Sequence, residues 1–124
     1  VGVVSAHAPA YALSFAAGRA VDAPAETHLA DGVACRRPEP AALEAIRQGV
    51  ERIVQVSDAE VAVAMRALFT CTHQVAEGAG AAALAAALQE RARLAGQRVG
   101  LVLSGANVDA ELFAAVLGTQ GRAG

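Results

Sequence analysis

Short runs of β-type apolar residues constrain this chain more than any other feature. Val1-Gly2-Val3-Val4 and Val99-Gly100-Leu101-Val102-Leu103 are apolar throughout, and Ile53-Val54-Gln55-Val56 reads as a further strand. Apolar runs without polar alternation suit strands covered on both faces, as in parallel sheets. Between them lie segments with helical signals. Pro9 opens a first helix carrying Tyr11, Leu13 and Phe15, and Gly18 is placed to end it. Pro40 opens a second, with Leu43, Ile46 and Val50 at helical spacing. Ser57-Asp58-Ala59-Glu60 fits a capping box ahead of a third helix, with Val61, Met65 and Leu68 on one face. A fourth is expected from Ala81 to Leu94, after a loop from Thr70 to Gly80, and Gly96 stops it. Leu112, Phe113, Val116 and Leu117 form the face of the last, with Asn107 or Asp109 as its cap.

Strands alternating with helices imply an α/β fold. The expectation is a partial, open parallel sheet of about three strands, with helices on both faces and right-handed crossovers. The 124 residues suffice for one domain with a real core. The compositional break at Arg36-Arg37-Pro38-Glu39-Pro40 reads as a surface loop and not a linker, and residues 119–124 read as a tail. Three strands are thin for such a sheet, and Val1 already lies inside an apolar run, so the chain is expected to be part of a longer one.

Composition excludes several classes of function. A net charge of −2 gives no basic footprint for nucleic acid, and 3% aromatic residues give no stacking platform. No apolar run has the ~20 residues that cross a bilayer, and no signal peptide is visible. Cys35 and Cys71 are too few for a disulfide scaffold, which makes the cytoplasm the expected compartment. Cys71-Thr72-His73 invites a metal reading, but zinc needs about four ligands and Cys35, His7 and His28 are scattered singly, so no metal site is expected. All ten basic residues are arginine. No lysine amine is available for chemistry in this polypeptide.

Two turns could bind a ligand. Ser104-Gly105-Ala106-Asn107 follows a strand-like run and precedes a helix, where open α/β sheets place ligands. It reads equally as a ligand turn or as a capped strand–helix corner. Glu77-Gly78-Ala79-Gly80 also leads into a helix. As a phosphate loop it is weak, because it lacks a third glycine and its carboxylate would repel the ligand. The favoured local reading is a carboxylate at a helix start. Asp31-Gly32 reads as an Asx-type turn.

Four segments together resemble one family. They are Val1 to Ser14, Thr27 to Ala34 (THLADGVA), Val75 to Leu84 (VAEGAGAAAL) and Val102 to Asp109 (VLSGANVD). Their order and spacing resemble the pyridoxal-phosphate-dependent threonine dehydratases, close relatives of serine racemase in the fold-type II group. The resemblance implies that residues 1–118 are the C-terminal part of the catalytic domain. It further implies that the Schiff-base lysine and the phosphate-binding glycine loop, neither present here, lie elsewhere in the enzyme. By resemblance Ser104 hydrogen-bonds the pyridine nitrogen, Gly105 and Asn107 shape that turn, Glu77 lies beside the ring, and Gly32 and Asp31 line the site near the reacting carbon. The implied reaction is elimination of water from L-threonine or L-serine, giving a 2-keto acid and ammonia. Alone, this chain is expected to be inactive and to form homo-oligomers. The alternatives are a non-catalytic oligomerising module, a piece of a racemase-like enzyme, and a small nucleotide-binding domain. Metal-binding relatives place acidic residues where this chain has Val4 and Ala10, which argues against a divalent cation there.

Overall fold

The computed structural model describes residues 1–118. Its elements are β1 (Gly2–Ser5), α1 (Ala10–Ala17), a 3-10 turn (Asp31–Val33), α2 (Pro40–Gly49), β2 (Ile53–Val56), α3 (Asp58–Thr72), α4 (Gly78–Gln89) and α5 (Ala110–Gly118). β1 and β2 pair in parallel, with Val3 opposite Val54 and Ser5 opposite Val56. The intervening α1 and α2 supply the crossover that a parallel pair requires.

Strand alternation sorts the side chains onto two faces. Val54 and Val56 are buried in the main cluster with Val61, Ala64 and Met65 of α3 and Ala81, Ala82, Ala85 and Ala86 of α4, and Val3 packs against it. On the other face, Gly2, Val4 and Ile53 line a cavity with Tyr11 of α1 and Ile46 of α2. Helices therefore cover both faces. The small side chains of α4 let its backbone lie close to α3 and to both strands. Met65, Val56 and Val61 are the largest fully buried apolar side chains, each stabilising the fold by about 1.5–3 kcal/mol through burial.

The capping box forms as the sequence signals. The Glu60 amide donates to Ser57 Oγ at 3.3 Å, and the Ser57 amide donates to Glu60 Oε2 at 2.7 Å. Gly18 closes α1 in the left-handed region, at φ +70°. At its far end α4 is tied to β2. Gln89 Nε2 donates to the Gln55 carbonyl and to Glu60 Oε1, and the Arg52 guanidinium grips the Glu90 carboxylate with two bonds of 3.1 and 2.6 Å. The last helix docks on α3 through an edge-to-face Phe69–Phe113 contact and a 2.9 Å bond from Arg66 Nη1 to the Val116 carbonyl.

Three sequence expectations need correction. The sheet among the described residues has two strands, because Val99–Leu103 is not a strand. A strand needs a neighbour for its backbone groups. Among the described residues, residues 98–104 make no backbone hydrogen bond, and Val102 is 76% exposed. The segment instead borders a groove of about 450 Å³, across from Val1 and Val3 and above the alanines of α4. Next, α4 begins at Gly78 and ends at Gln89, short of Leu94, where tertiary bonds take over from the helical repeat. Finally, α3 extends to Thr72 and stops at His73, which adopts φ +57°, so the loop starts later than expected. The tail at residues 119–124 lies outside the described residues.

Candidate functional site

Three backbone segments converge around Glu77, and glycines make the convergence possible. The Glu77 amide donates to the Gly105 carbonyl at 3.1 Å, joining the start of α4 to the 104–107 turn. A Cβ on Gly80 would strike the Gly105 carbonyl oxygen, and one on Gly105 would strike Glu77 Oε1. A Cβ on Gly78 would strike the Leu29 carbonyl oxygen, and one on Gly32 would come within 2.9 Å of Ala79 Cβ. In each case no room remains for a side chain. The Glu77 carboxylate thus lies against Gly105, with Gly32 on a second side: its Oε1 would be 4.0 Å from a Cβ there.

Ser104 is exposed and lines the groove together with Val3, Val33 and Ala79. Asn107 and Asp31 flank the site and are exposed. The Asp31 carbonyl accepts from Ala34 in the 3-10 turn. Asp109 precedes α5, and its carbonyl accepts from Phe113. The structure therefore brings Glu77, Gly105 and Gly32 together, sets Ser104 beside them, and leaves Asp31 and Asn107 at the rim.

Sequence reasoning missed Gly78 and Gly80 as contact residues, and it missed the pair Thr27 and Asp58. Thr27 Oγ1 donates to Asp58 Oδ1 at 2.6 Å across 31 residues, a separation with no local signal. The glycine pair was visible only as a poor phosphate loop. No cluster of three or more metal-ligating side chains exists among the described residues. Both cysteines are free, and among the described residues no helix is long and apolar enough to cross a membrane.

The described residues thus form an open α/β arrangement with a polar turn beside a glycine-locked carboxylate. Residues 1–105 match the family model described as pyridoxal-phosphate dependent enzyme. The chain belongs to this family. It is 39% identical over 118 residues to an L-threonine ammonia-lyase of Geobacter sulfurreducens, covering 94% of this chain and 29% of that protein. It is 40% identical over 119 residues to a phenylserine dehydratase of Ralstonia pickettii, covering 95% of this chain and 36% of that protein. Among solved structures it superposes on a T.th. threonine deaminase with a TM-score of 0.80 and 38% identity, covering 87% of this chain and 39% of that one. The processed threonine deaminase isoform 2 of Solanum lycopersicum gives a TM-score of 0.86 at 25% identity, over 97% of this chain and 36% of that one. The chain spans about a third of the length of these relatives.

The family cofactor has a ring, a phosphate and a covalent anchor, and the residues here fit only the first. A hydroxyl at Ser104 is a donor of the kind that a pyridine nitrogen accepts. The start of α4 is unsuited to the phosphate, because Glu77 stands at its N-cap and the Gly105 carbonyl takes the Glu77 amide. The anchor requires a lysine, which the sequence lacks.

Proposed function

We propose that residues 1–118 form the C-terminal part of the catalytic domain of a threonine or serine dehydratase, and that this part holds the ring side of the pyridoxal phosphate site. The convergence of Glu77, Gly32 and Gly105 beside Ser104 is the observation that carries the reading. The names of the relatives, ammonia-lyases and a dehydratase acting on hydroxyamino acids, support the reaction class. When bound, pyridoxal phosphate supplies an electron sink for the substrate's α-carbon. Ser104 Oγ would hydrogen-bond the ring nitrogen. A hydroxyl there, in place of a carboxylate, would leave that nitrogen largely neutral, which suits elimination of a β-hydroxyl better than chemistry needing a long-lived carbanion. Glu77 would border the ring, Gly32 and Asp31 would lie near the reacting carbon, and Gly105 and Asn107 would shape the Ser104 turn. The chain alone forms no 2-keto acid, since the amine that moves the α-proton is supplied from outside it. The apolar edge at Val99–Leu103 supports assembly with a further copy.

Titration of the ¹⁵N-labelled chain with pyridoxal phosphate tests the reading. Saturable shifts are expected at the amides of Gly32, Glu77 and Ser104 to Asn107. Shifts confined to other regions, or none at all, sink it. Saturable binding of a nucleotide with no response to pyridoxal phosphate would favour the nucleotide-domain alternative.

A further inference from the structure

Glu77 has two flanks, and they are fixed in different ways. The Gly105 flank is held directly, by the amide of Glu77 itself. The Gly32 flank is held from a distance, by the first residue of α3. Asp58 uses both carboxylate oxygens there: Oδ1 accepts from Thr27 Oγ1 at 2.6 Å, and Oδ2 accepts from the His28 amide at 2.9 Å. A hydroxyl has one proton, and this one is committed to Asp58. Its lone pairs are thereby turned toward the chain ahead, and Thr27 Oγ1 accepts from the Ala30 amide at 3.0 Å and the Leu29 amide at 3.4 Å.

The consequences reach the site within three residues. Ala30 is fully buried, and its carbonyl accepts from Val33, which forms the 3-10 turn that presents Gly32 to Ala79. Leu29 lays its carbonyl on the bare face of Gly78. Asp58 is itself immobilised, because the Ser57–Glu60 capping box closes around the same turn of α3 and Gln89 of α4 bonds Glu60. A charge-assisted bond as short as Thr27–Asp58 is among the stronger ones a side chain forms.

We propose that Thr27 and Asp58 are a positioning pair: they set how closely Gly32 approaches Glu77, and through that the geometry offered to a cofactor ring. The last step rests on the cofactor reading above. The variants Thr27→Val, Thr27→Ser and Asp58→Asn in the 124-residue chain separate the two claims. In ligand-free spectra, Thr27→Val and Asp58→Asn are expected to shift the Gly32 and Glu77 amides, and Thr27→Ser to restore the parent positions. With pyridoxal phosphate as the probe, Thr27→Val and Asp58→Asn are expected to raise the half-saturation concentration by about fivefold or more, the cost of losing a bond to a charged group. Thr27→Ser is expected to stay within about twofold of the parent. Unmoved Gly32 and Glu77 amides in both disruptive variants overturn the proposal. So does a loss in Thr27→Ser equal to that in Thr27→Val, which would show that the methyl's packing and not the hydroxyl matters. Should Thr27→Val not fold, Asp58→Asn, which keeps the side chain's shape, decides alone. A parent chain that ignores pyridoxal phosphate refutes the cofactor reading, and the pair then stands or falls on the ligand-free shifts.

Discussion

Substituting alanine for glycine at two helical positions should move stability in opposite directions, and the structure sets both signs. Gly49 ends α2 with nothing within 4 Å of an added Cβ. There the methyl costs no contact and restricts the unfolded chain, so Gly49→Ala should stabilise by about 0.4–1 kcal/mol. Gly78 opens α4, and its added Cβ would strike the Leu29 carbonyl oxygen, lie 2.5 Å from the Leu29 carbonyl carbon and 3.1 Å from Ala30 Cα. Restoring ordinary contact, at 3.4 Å or more, with the carbonyl oxygen requires the 29–30 backbone to retreat by about 1.5 Å from α4. That backbone is tied by Thr27 to Asp58 and cannot move freely. Overpacking of this kind costs about 1–3 kcal/mol, and only part is returned by alanine's better helix propensity of at most about 1 kcal/mol. For a domain of this size a net loss of about 1–2 kcal/mol lowers the melting temperature by about 3–12 °C. Thermal unfolding followed by circular dichroism, with the two variants beside the parent, measures both. A Gly78→Ala variant as stable as Gly49→Ala would refute the close approach of Leu29 and the packing argument for the whole site.

Three further outcomes follow from the same contacts. Glu60 is held below the ordinary glutamate value of 4.5, chiefly by the Ser57 amide and then by Gln89, and Glu90 is held below it chiefly by its bonds to Arg52. Groups depressed in this way stabilise the fold above their unfolded value, and that stability is lost as pH falls through the folded one. Urea midpoints should therefore drop below about pH 4.5, and the double variant Glu60→Gln/Glu90→Gln should show a flatter acid limb. Met65→Ala removes the largest fully buried side chain and should cost about 2–5 kcal/mol in urea unfolding. A cost below about 1 kcal/mol would mean Met65 is not in the core. Val99, Leu101 and Val102 are 46%, 46% and 76% exposed beside the groove, so light scattering at micromolar concentration should show a dimer or larger species; a monodisperse monomer would contradict the proposed assembly.

What could be read from the sequence was what local chemistry determines. Ser57 and Glu60 announce their box because both bonds lie within four residues. Gly18 marks the end of α1 because it can take a positive φ. Val99–Leu103 has the residues of a strand, but a strand also needs a neighbour, and no composition rule supplies one. The end of α4 was misplaced because Gln89 and Glu90 are fixed by Gln55, Glu60 and Arg52, at least 29 residues earlier. In the site, Ser104 and Glu77 stood out as polar residues beside small ones. The partners that define their setting did not. Gly80 meets Gly105 and Gly78 meets Leu29 across long separations, and each glycine alone could be read as a cap or a loop.

The most direct test of the central claim is transplantation. Replacing the matching segment of the Geobacter sulfurreducens L-threonine ammonia-lyase with this chain supplies the lysine and the remaining polypeptide in one molecule. The measurement is 2-keto acid formed from L-threonine, with Ser104→Ala as the companion variant. The chimera is expected to form the keto acid, and Ser104→Ala to slow it by about tenfold or more through loss of one polar contact in the site. A folded chimera that retains pyridoxal phosphate and forms no keto acid, or one in which Ser104→Ala turns over like the parent, would contradict the assignment of this segment to the ring side of the site.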